Sequence, residues 1–123
     1  MKKDKIIYWA TTGIIGVMML FSAFQYVSNP QIKAAFVHLG FPGYFRVELA
    51  IAKIVGVLIL LIPAIPRVIK EWGYAGFGIV FISAAIAHYN SGDAVSMVVM
   101  PLVFLVVLLL SHLYFSKLQQ VKL

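Results

Sequence analysis

The sequence predicts an all-α membrane protein: an up-down bundle of four transmembrane helices with a short helix in the first extracytoplasmic connection. Hydrophobic residues make up 63% of the 123 residues and charged residues only 11%, and the mean hydropathy is +1.00. A soluble domain has about 45–50% apolar and about 25% charged residues. This composition excludes a water-soluble enzyme, a disordered tail and a nucleic-acid-binding module, and we expect one transmembrane domain over residues 1–123.

Four apolar stretches reach the roughly 20 residues that a bilayer-spanning helix requires. They cover approximately residues 6–27, 44–65, 72–90 and 94–115. The first follows a basic head, Met1 to Lys5, that resembles the start of a secretory signal. Its apolar run of about 22 residues has no small-x-small cleavage site, so we expect it to remain attached as the first span.

The connection between the first two spans predicts a short helix from Pro30 to Gly40. Proline is favoured in the first helical turn, and glycine is favoured just beyond the end of a helix. The apolar residues between them recur at helical spacing: Ile32, Ala35, Phe36 and Leu39. We expect this helix to lie on the outer surface or to fold over the mouth of the bundle.

The basic residues predict the orientation of the spans. In the four-span arrangement, one side of the membrane carries seven of them: Lys2, Lys3, Lys5, Arg67, Lys70, Lys117 and Lys122. The other side receives Lys33 and Arg46. The positive-inside rule therefore places both termini in the cytoplasm of a cell-membrane protein. Because the basic residues are scattered in short clusters between apolar runs, the net charge of +6 does not indicate nucleic-acid binding.

Lys53 is the most informative polar residue, because a charged side chain within a span is costly and often functional. At 1.5 Å per residue it lies about 10 Å along the helix from Arg46. Two interpretations stay open: the side chain extends to the outer headgroups, or it faces the bundle and holds an anionic or carbonyl-bearing group. Antiparallel packing would bring Ser83 to the same level, together with the Met97 carbonyl that Pro101 leaves without its helical donor.

A second polar level is predicted nearer the mouth of the bundle. It consists of Gln25, Tyr26, Glu48, His88, Tyr89 and Asn90, with His38 and Asp93 in the adjoining connections. The candidate ligand-binding residues of the two levels are Lys53, Ser83, Arg46, Glu48, His88, Tyr89 and Asn90. His88 could be a hydrogen-bonded helix-end histidine instead of a proton carrier, and Glu48 could pair with Arg46 or His88 for structure alone. The histidines lack a metal-ligand spacing, and no catalytic motif occurs, so we assign neither a metal site nor catalytic residues.

Three stretches of the chain resemble the DoxX-like family of small four-helix membrane proteins. They are HLGFPGYFRVELAIAKIVGVLILLIP at 38–63, PRVIKEWGYAGFGIVFISAAIAHYNSGD at 66–93, and LLLSHLYF ending at 115. The family-like positions are Lys53, Lys70, Glu71, Trp72, Tyr74, Gly76, His88, Gly92 and Asp93. The resemblance implies a small subunit linked to quinone-dependent sulfur oxidation or respiration, or a protein that assists a redox complex.

The leading functional prediction is a non-catalytic subunit or binder of a lipidic or quinone-like molecule that supports a membrane redox system. Its expected partners are the lipid bilayer, a membrane redox protein and further copies of the chain, and quinone is the candidate cofactor. One alternative is a small-solute transporter or channel that acts as an oligomer. Another is a membrane oxidoreductase in which His88 and Glu48 transfer protons.

Overall fold

The computed structural model describes residues 2–122, with side chains for residues 2–119. Met1 and the side chain of Lys122, both used in the predictions above, lie outside this part. The described residues form five α helices and no strand, which confirms the all-α class. The helices are α1 (Lys2–Ser28), α2 (Pro30–His38), α3 (Gly43–Leu61), α4 (Arg67–Asn90) and α5 (Val95–Lys122).

Three of the described helices, α1, α4 and α5, are long and apolar enough to cross a membrane. The chain is therefore a membrane protein. Helix α3 occupies the predicted second span, but its 19 residues contain Arg46, Glu48 and Lys53, and it falls outside that apolar class. A crossing by α3, and with it the four-span bundle, stays a prediction.

The short helix lies where the sequence predicts it. Its N-cap residue, Asn29, accepts a hydrogen bond on its side chain from the Gln31 backbone N–H at 2.9 Å, and Pro30 occupies the first turn. The helix ends at His38, two residues before Gly40, whose φ of +86° is strained for residues that carry a Cβ.

The ends of the other helices differ from the predicted spans by several residues. Helix α3 ends at Leu61, because Pro63 disfavours helical geometry at the residue before it and donates no backbone hydrogen bond. Helix α4 begins at Arg67, five residues before the predicted span. Hydropathy excludes the polar first turn of α4 from the span although its backbone is helical.

The four long helices form a closed ring. Helix α1 packs against α3 and α5, and α4 packs against the same two helices, while α2 lies across one end on α1 and α3. The buried apolar side chains at the centre of the ring are Tyr8, Ile15, Met19, Val57, Leu60, Tyr74, Phe77, Phe81, Leu108 and Phe115. Much of the outer surface is also apolar, as expected where lipid replaces water.

The two ends of the ring are chemically distinct. At the end named here the terminal end, Tyr8 near the start of α1 and Tyr74 near the start of α4 both pack against Phe115 of α5, with ring centroids 6.2 and 5.6 Å apart. At the other end, named the α2 end, His38 at the end of α2 contacts Asp93 between α4 and α5. The α1–α3 and α4–α5 connections thus lie together at this end of the ring.

A buried hydroxyl network joins three helices at the terminal end. Ser111 of α5 lies 2.6 Å from the Thr12 hydroxyl of α1 and 2.7 Å from the Tyr74 hydroxyl of α4. Nearby, the Lys70 ammonium donates to the carbonyl oxygens of Ile59 and Leu60, each at 3.0 Å. These carbonyls end α3, where helical partners are missing and positive charge is favourable.

Candidate functional site

Lys53 is turned into the ring. Its side chain is 4% exposed, and its ammonium donates hydrogen bonds to the hydroxyls of Ser22 at 2.8 Å and Tyr26 at 2.7 Å. The same nitrogen lies 3.9 Å from the centroid of the Tyr26 ring, within cation–π range. Ser22 and Tyr26 are four residues apart and therefore share one face of α1.

Among the residues that the structure describes, no negative charge balances the Lys53 ammonium. Of the four acidic residues in the chain, Glu71 pairs with His112 and Asp93 pairs with two histidines. None of the described carboxylates pairs with Lys53. An ammonium has three N–H donors, of which two have partners here, and a buried cation without a counter-ion is costly. An anionic or carbonyl-bearing ligand would lower that cost.

Beside Lys53 lies a cavity of about 370 Å³, named here the central cavity, between α1, α4 and α5. This volume is within the roughly 300–1,000 Å³ typical of small-molecule sites. Apolar groups dominate the wall, and its polar side chains are Ser22, Tyr26, Lys53, His88 and Ser96. No acidic residue is among the described residues that line it. The wall thus combines an oily surface with a few polar groups and one cation.

A second cavity, of about 360 Å³, lies under α2 and against α3 and α4; it is named here the α2 cavity. Helix α2 contributes Ile32, Ala35 and Phe36 to its wall. The residues that line both cavities are Tyr26, Val80, Ala84, His88 and Met97. The two spaces are therefore neighbours, and His88 is part of the wall between them.

Asp93 joins α2 to the end of α4 through two histidines. One carboxylate oxygen lies 2.7 Å from Nδ1 of His88, and the other lies 2.9 Å from Nε2 of His38. The hydrogen bond with His88 lowers the pKa of the Asp93 carboxyl below its ordinary 3.8, and the bond with His38 adds to this effect. In the described part of the chain, no group of three or more histidine, cysteine or acidic residues is arranged to hold a metal ion.

The structure brings part of the predicted site together. Lys53 and His88 line the central cavity, whereas Ser83 is exposed and lines the α2 cavity. Arg46 donates to the backbone carbonyl of Tyr26 near the end of α1. Lys53 and Ser83 therefore do not share one pocket wall, although their cavities adjoin.

Three other predicted site residues lie away from both cavities. Glu48 is exposed on α3, and it pairs with neither Arg46 nor His88. Tyr89 is 76% exposed. Asn90 donates its side-chain amide to the Ile86 carbonyl at 2.9 Å and so caps the last turn of its own helix. The faces of α3 and α4 that carry these residues point outward.

Sequence reasoning missed Ser22, which is one of the two side chains that bind Lys53. A signal for it exists, because Ser22 is a hydroxyl residue in an apolar run and lies one turn before Tyr26. Sequence reasoning also placed Asp93 only near the mouth of the bundle. Its simultaneous contacts with His38 and His88 depend on how α2 folds back over the ring.

Comparisons with known proteins identify the family. Searches of curated proteins and of solved structures found no match. A model of the DoxX-like family matches residues 10–111, which include the Lys53 side chain, both of its hydroxyl partners and the Asp93 cluster. Since the match covers well over half of the sequence and includes the polar groups just described, the chain belongs to the DoxX-like family.

Proposed function

We propose that this protein is a non-catalytic membrane protein that binds a lipidic or quinone-like molecule in the central cavity and supports a membrane redox system. One observation carries the binding role: the buried Lys53 ammonium, without a carboxylate partner, lines a largely apolar cavity. Apolar walls with a few placed polar groups are typical of small-molecule sites. The redox role and a partner protein in the membrane follow from the family resemblance.

The polar side chains have separate roles in this proposal. Lys53 binds an anionic or carbonyl oxygen of the ligand, while Ser22 and Tyr26 hold the ammonium in place. The Nδ1 atom of His88 is hydrogen-bonded to Asp93, so Nε2 is the ring nitrogen that would contact the ligand. The exposed position of Glu48 argues against a proton-transfer pair with His88, and hence against the oxidoreductase alternative.

We also propose that α3 is a fourth membrane-crossing helix, with both chain termini in the cytoplasm and α2 outside the cell membrane. Burial of Lys53 removes its charge from the lipid-facing side of α3. Apart from Glu48 near its start, the large exposed side chains of that helix are apolar. They include Val47, Ile51, Ile54, Val55 and Leu58. Arg46 and Glu48 lie within roughly 7.5 Å of the helix start at 1.5 Å per residue, a depth at which both can reach the headgroups.

The absence of cysteine permits a direct test of this topology. Single cysteines replacing Asp4, Gln31 and Ser91 would be treated in intact cells with a membrane-impermeant thiol reagent. We expect labelling of Gln31→Cys and Ser91→Cys but not of Asp4→Cys, which should react only after permeabilisation. Labelling of Gln31→Cys and Ser91→Cys on opposite sides of the membrane would refute the four-span arrangement.

Native mass spectrometry after gentle detergent purification tests the binding role. We expect wild-type protein to retain a small amphiphile or to take up an added short-chain ubiquinone. The Lys53→Met variant should lose this ligand, because methionine keeps much of the apolar stem without the ammonium. Lys33→Met is the matched control, since Lys33 is exposed on α2. A wild-type protein that neither retains nor takes up lipid or quinone would refute the proposal.

Reconstitution into proteoliposomes distinguishes the binding role from the transporter and enzyme alternatives. A binding subunit should produce no charge-dependent solute flux and should not turn over quinone by itself. A redox protein should instead copurify with it from mildly solubilised membranes. If the isolated wild-type protein shows flux or turnover, and Lys53→Met abolishes it, then transport or catalysis is the function in place of binding.

A further inference from the structure

The α2 cavity differs in chemistry from the central cavity. Its wall is built from aliphatic and aromatic side chains of α2, α3 and α4, and its polar side chains are Tyr26, Ser83 and His88. Phe36 of α2 packs over this space and is only 8% exposed. A space of about 360 Å³ with so few polar groups suits a hydrocarbon chain and offers little to a polar head.

The two cavities together provide one charged region and one oily region. Tyr26 lines both spaces, and its hydroxyl accepts the hydrogen bond from Lys53 while its ring packs 4.8 Å from that of Phe36. Tyr26 is thus one of the residues that lie between the ammonium and the oily space under α2. The charged region and the oily region therefore adjoin.

From this juxtaposition we propose that the ligand is a single-chain lipid with a carboxylate head, which binds Lys53 in the central cavity, and a hydrocarbon chain that lies in the α2 cavity. This inference rests on the proposed function and narrows its ligand class. A carboxylate supplies the negative charge that no described side chain brings to Lys53, whereas a neutral quinone ring supplies only carbonyl oxygens. One cavity under α2 accommodates one chain, so a two-chain phospholipid is a poorer fit.

The head and the chain are expected to contribute differently to binding. In a bilayer the chain already lies among lipid tails, so its transfer into an apolar cavity supplies little drive. The head supplies the selectivity, because a hydrogen bond to a charged partner is stronger than one between neutral groups. The cavity wall limits the chain length that fits. Charge should therefore decide affinity, and cavity shape should decide which chain lengths bind.

The test measures displacement of tritiated hexadecanoate from the full-length protein in phosphatidylcholine nanodiscs, with empty nanodiscs as background. The competitors are dodecanoate, hexadecan-1-ol and a short-chain ubiquinone. We expect hexadecanoate to bind about 10- to 100-fold more tightly than the alcohol, as for an added charged hydrogen bond. Lys53→Met should remove this difference, and Lys33→Met should preserve it.

A second pair of variants tests the position of the chain and does not disturb Lys53. Ala35 lines the α2 cavity, whereas its neighbour Ala34 is exposed. Ala35→Leu should weaken hexadecanoate at least about 5-fold more than dodecanoate, because added volume in a packed space is poorly tolerated. Ala34→Leu should leave both affinities unchanged.

The outcomes separate this inference from the proposed function. Equal wild-type affinity for acid and alcohol, or equal effects of Ala35→Leu and Ala34→Leu, would overturn the inference. Binding of ubiquinone without hexadecanoate would overturn it as well, while the proposed function would stand. If neither compound binds, both proposals fall.

Discussion

Gly56 offers the most quantitative test of the packing that holds α3 in place. A Cβ atom added there would lie 2.7 Å from Cζ and 2.9 Å from Cε2 of the Phe77 ring. Phe77 is itself only 4% exposed and lies 6.2 Å from the Phe81 ring centroid, so it cannot move aside freely. We expect Gly56→Ala to force α3 and α4 apart, one turn from Lys53.

The size of the effect follows from two opposing terms. Overpacking of a filled core costs about 1–3 kcal/mol, whereas alanine gains up to about 1 kcal/mol over glycine in a helix. Gly76→Ala is the matched control, because its added Cβ would meet no atom within 4 Å. The propensity gain is common to both variants, so Gly56→Ala should be less stable than Gly76→Ala by about 1–3 kcal/mol.

Reversible unfolding in mixed detergent micelles, followed by circular dichroism, measures this difference. The double variant Gly56→Ala with Phe77→Leu should recover part of the lost stability, because leucine removes the ring atoms that the added methyl meets. Equal free energies of unfolding for Gly56→Ala and Gly76→Ala would refute the close-packing argument. Failure of Phe77→Leu to couple with Gly56→Ala would place the cause elsewhere.

Three further predictions concern the two ends of the ring. Tyr74→Phe should lower the free energy of unfolding by about 0.5–1.5 kcal/mol in the same micelle assay, since Ser111 loses one of its two hydroxyl partners; Tyr44→Phe, at an exposed tyrosine, should be neutral. Because the pKa of Asp93 is lowered in the folded protein, its carboxylate stabilises the fold fully at pH values above its ordinary pKa of 3.8. This stabilisation is lost as the pH falls through the lower pKa of the folded state. Asp93→Asn should therefore flatten the acid limb of a stability–pH profile, and an unchanged limb would contradict this. His38→Ala should increase amide hydrogen exchange in α2 without affecting the centre of α4, because the hydrogen bond between His38 and Asp93 holds α2 against the α4–α5 connection. Equal exchange in α2 of the wild-type and the variant protein would contradict this role of His38.

Composition and local chemistry alone determine the class of this protein and much of its secondary structure. Long apolar stretches must form helices in a bilayer, because every backbone polar group there needs an internal partner. The same reasoning locates α2, since Pro30 and Gly40 have conformational preferences that do not depend on distant residues. The charged residues of α3 are the reason that hydropathy alone leaves its membrane crossing unproven.

The tertiary structure decided which polar residues meet. In a membrane helix every face can be apolar, so the sequence pattern does not reveal which side faces the ring. Lys53 turns inward because Ser22 and Tyr26 of α1 accept its hydrogen bonds, whereas Glu48, on the same helix, finds no partner among the described residues and points outward. Asp93 lies only five residues after His88, but it meets His38 because α2 folds back across the ring. The contacts of Lys53 with α1 and of His38 with Asp93 join residues far apart in the chain, and their geometry depends on how all the helices pack together.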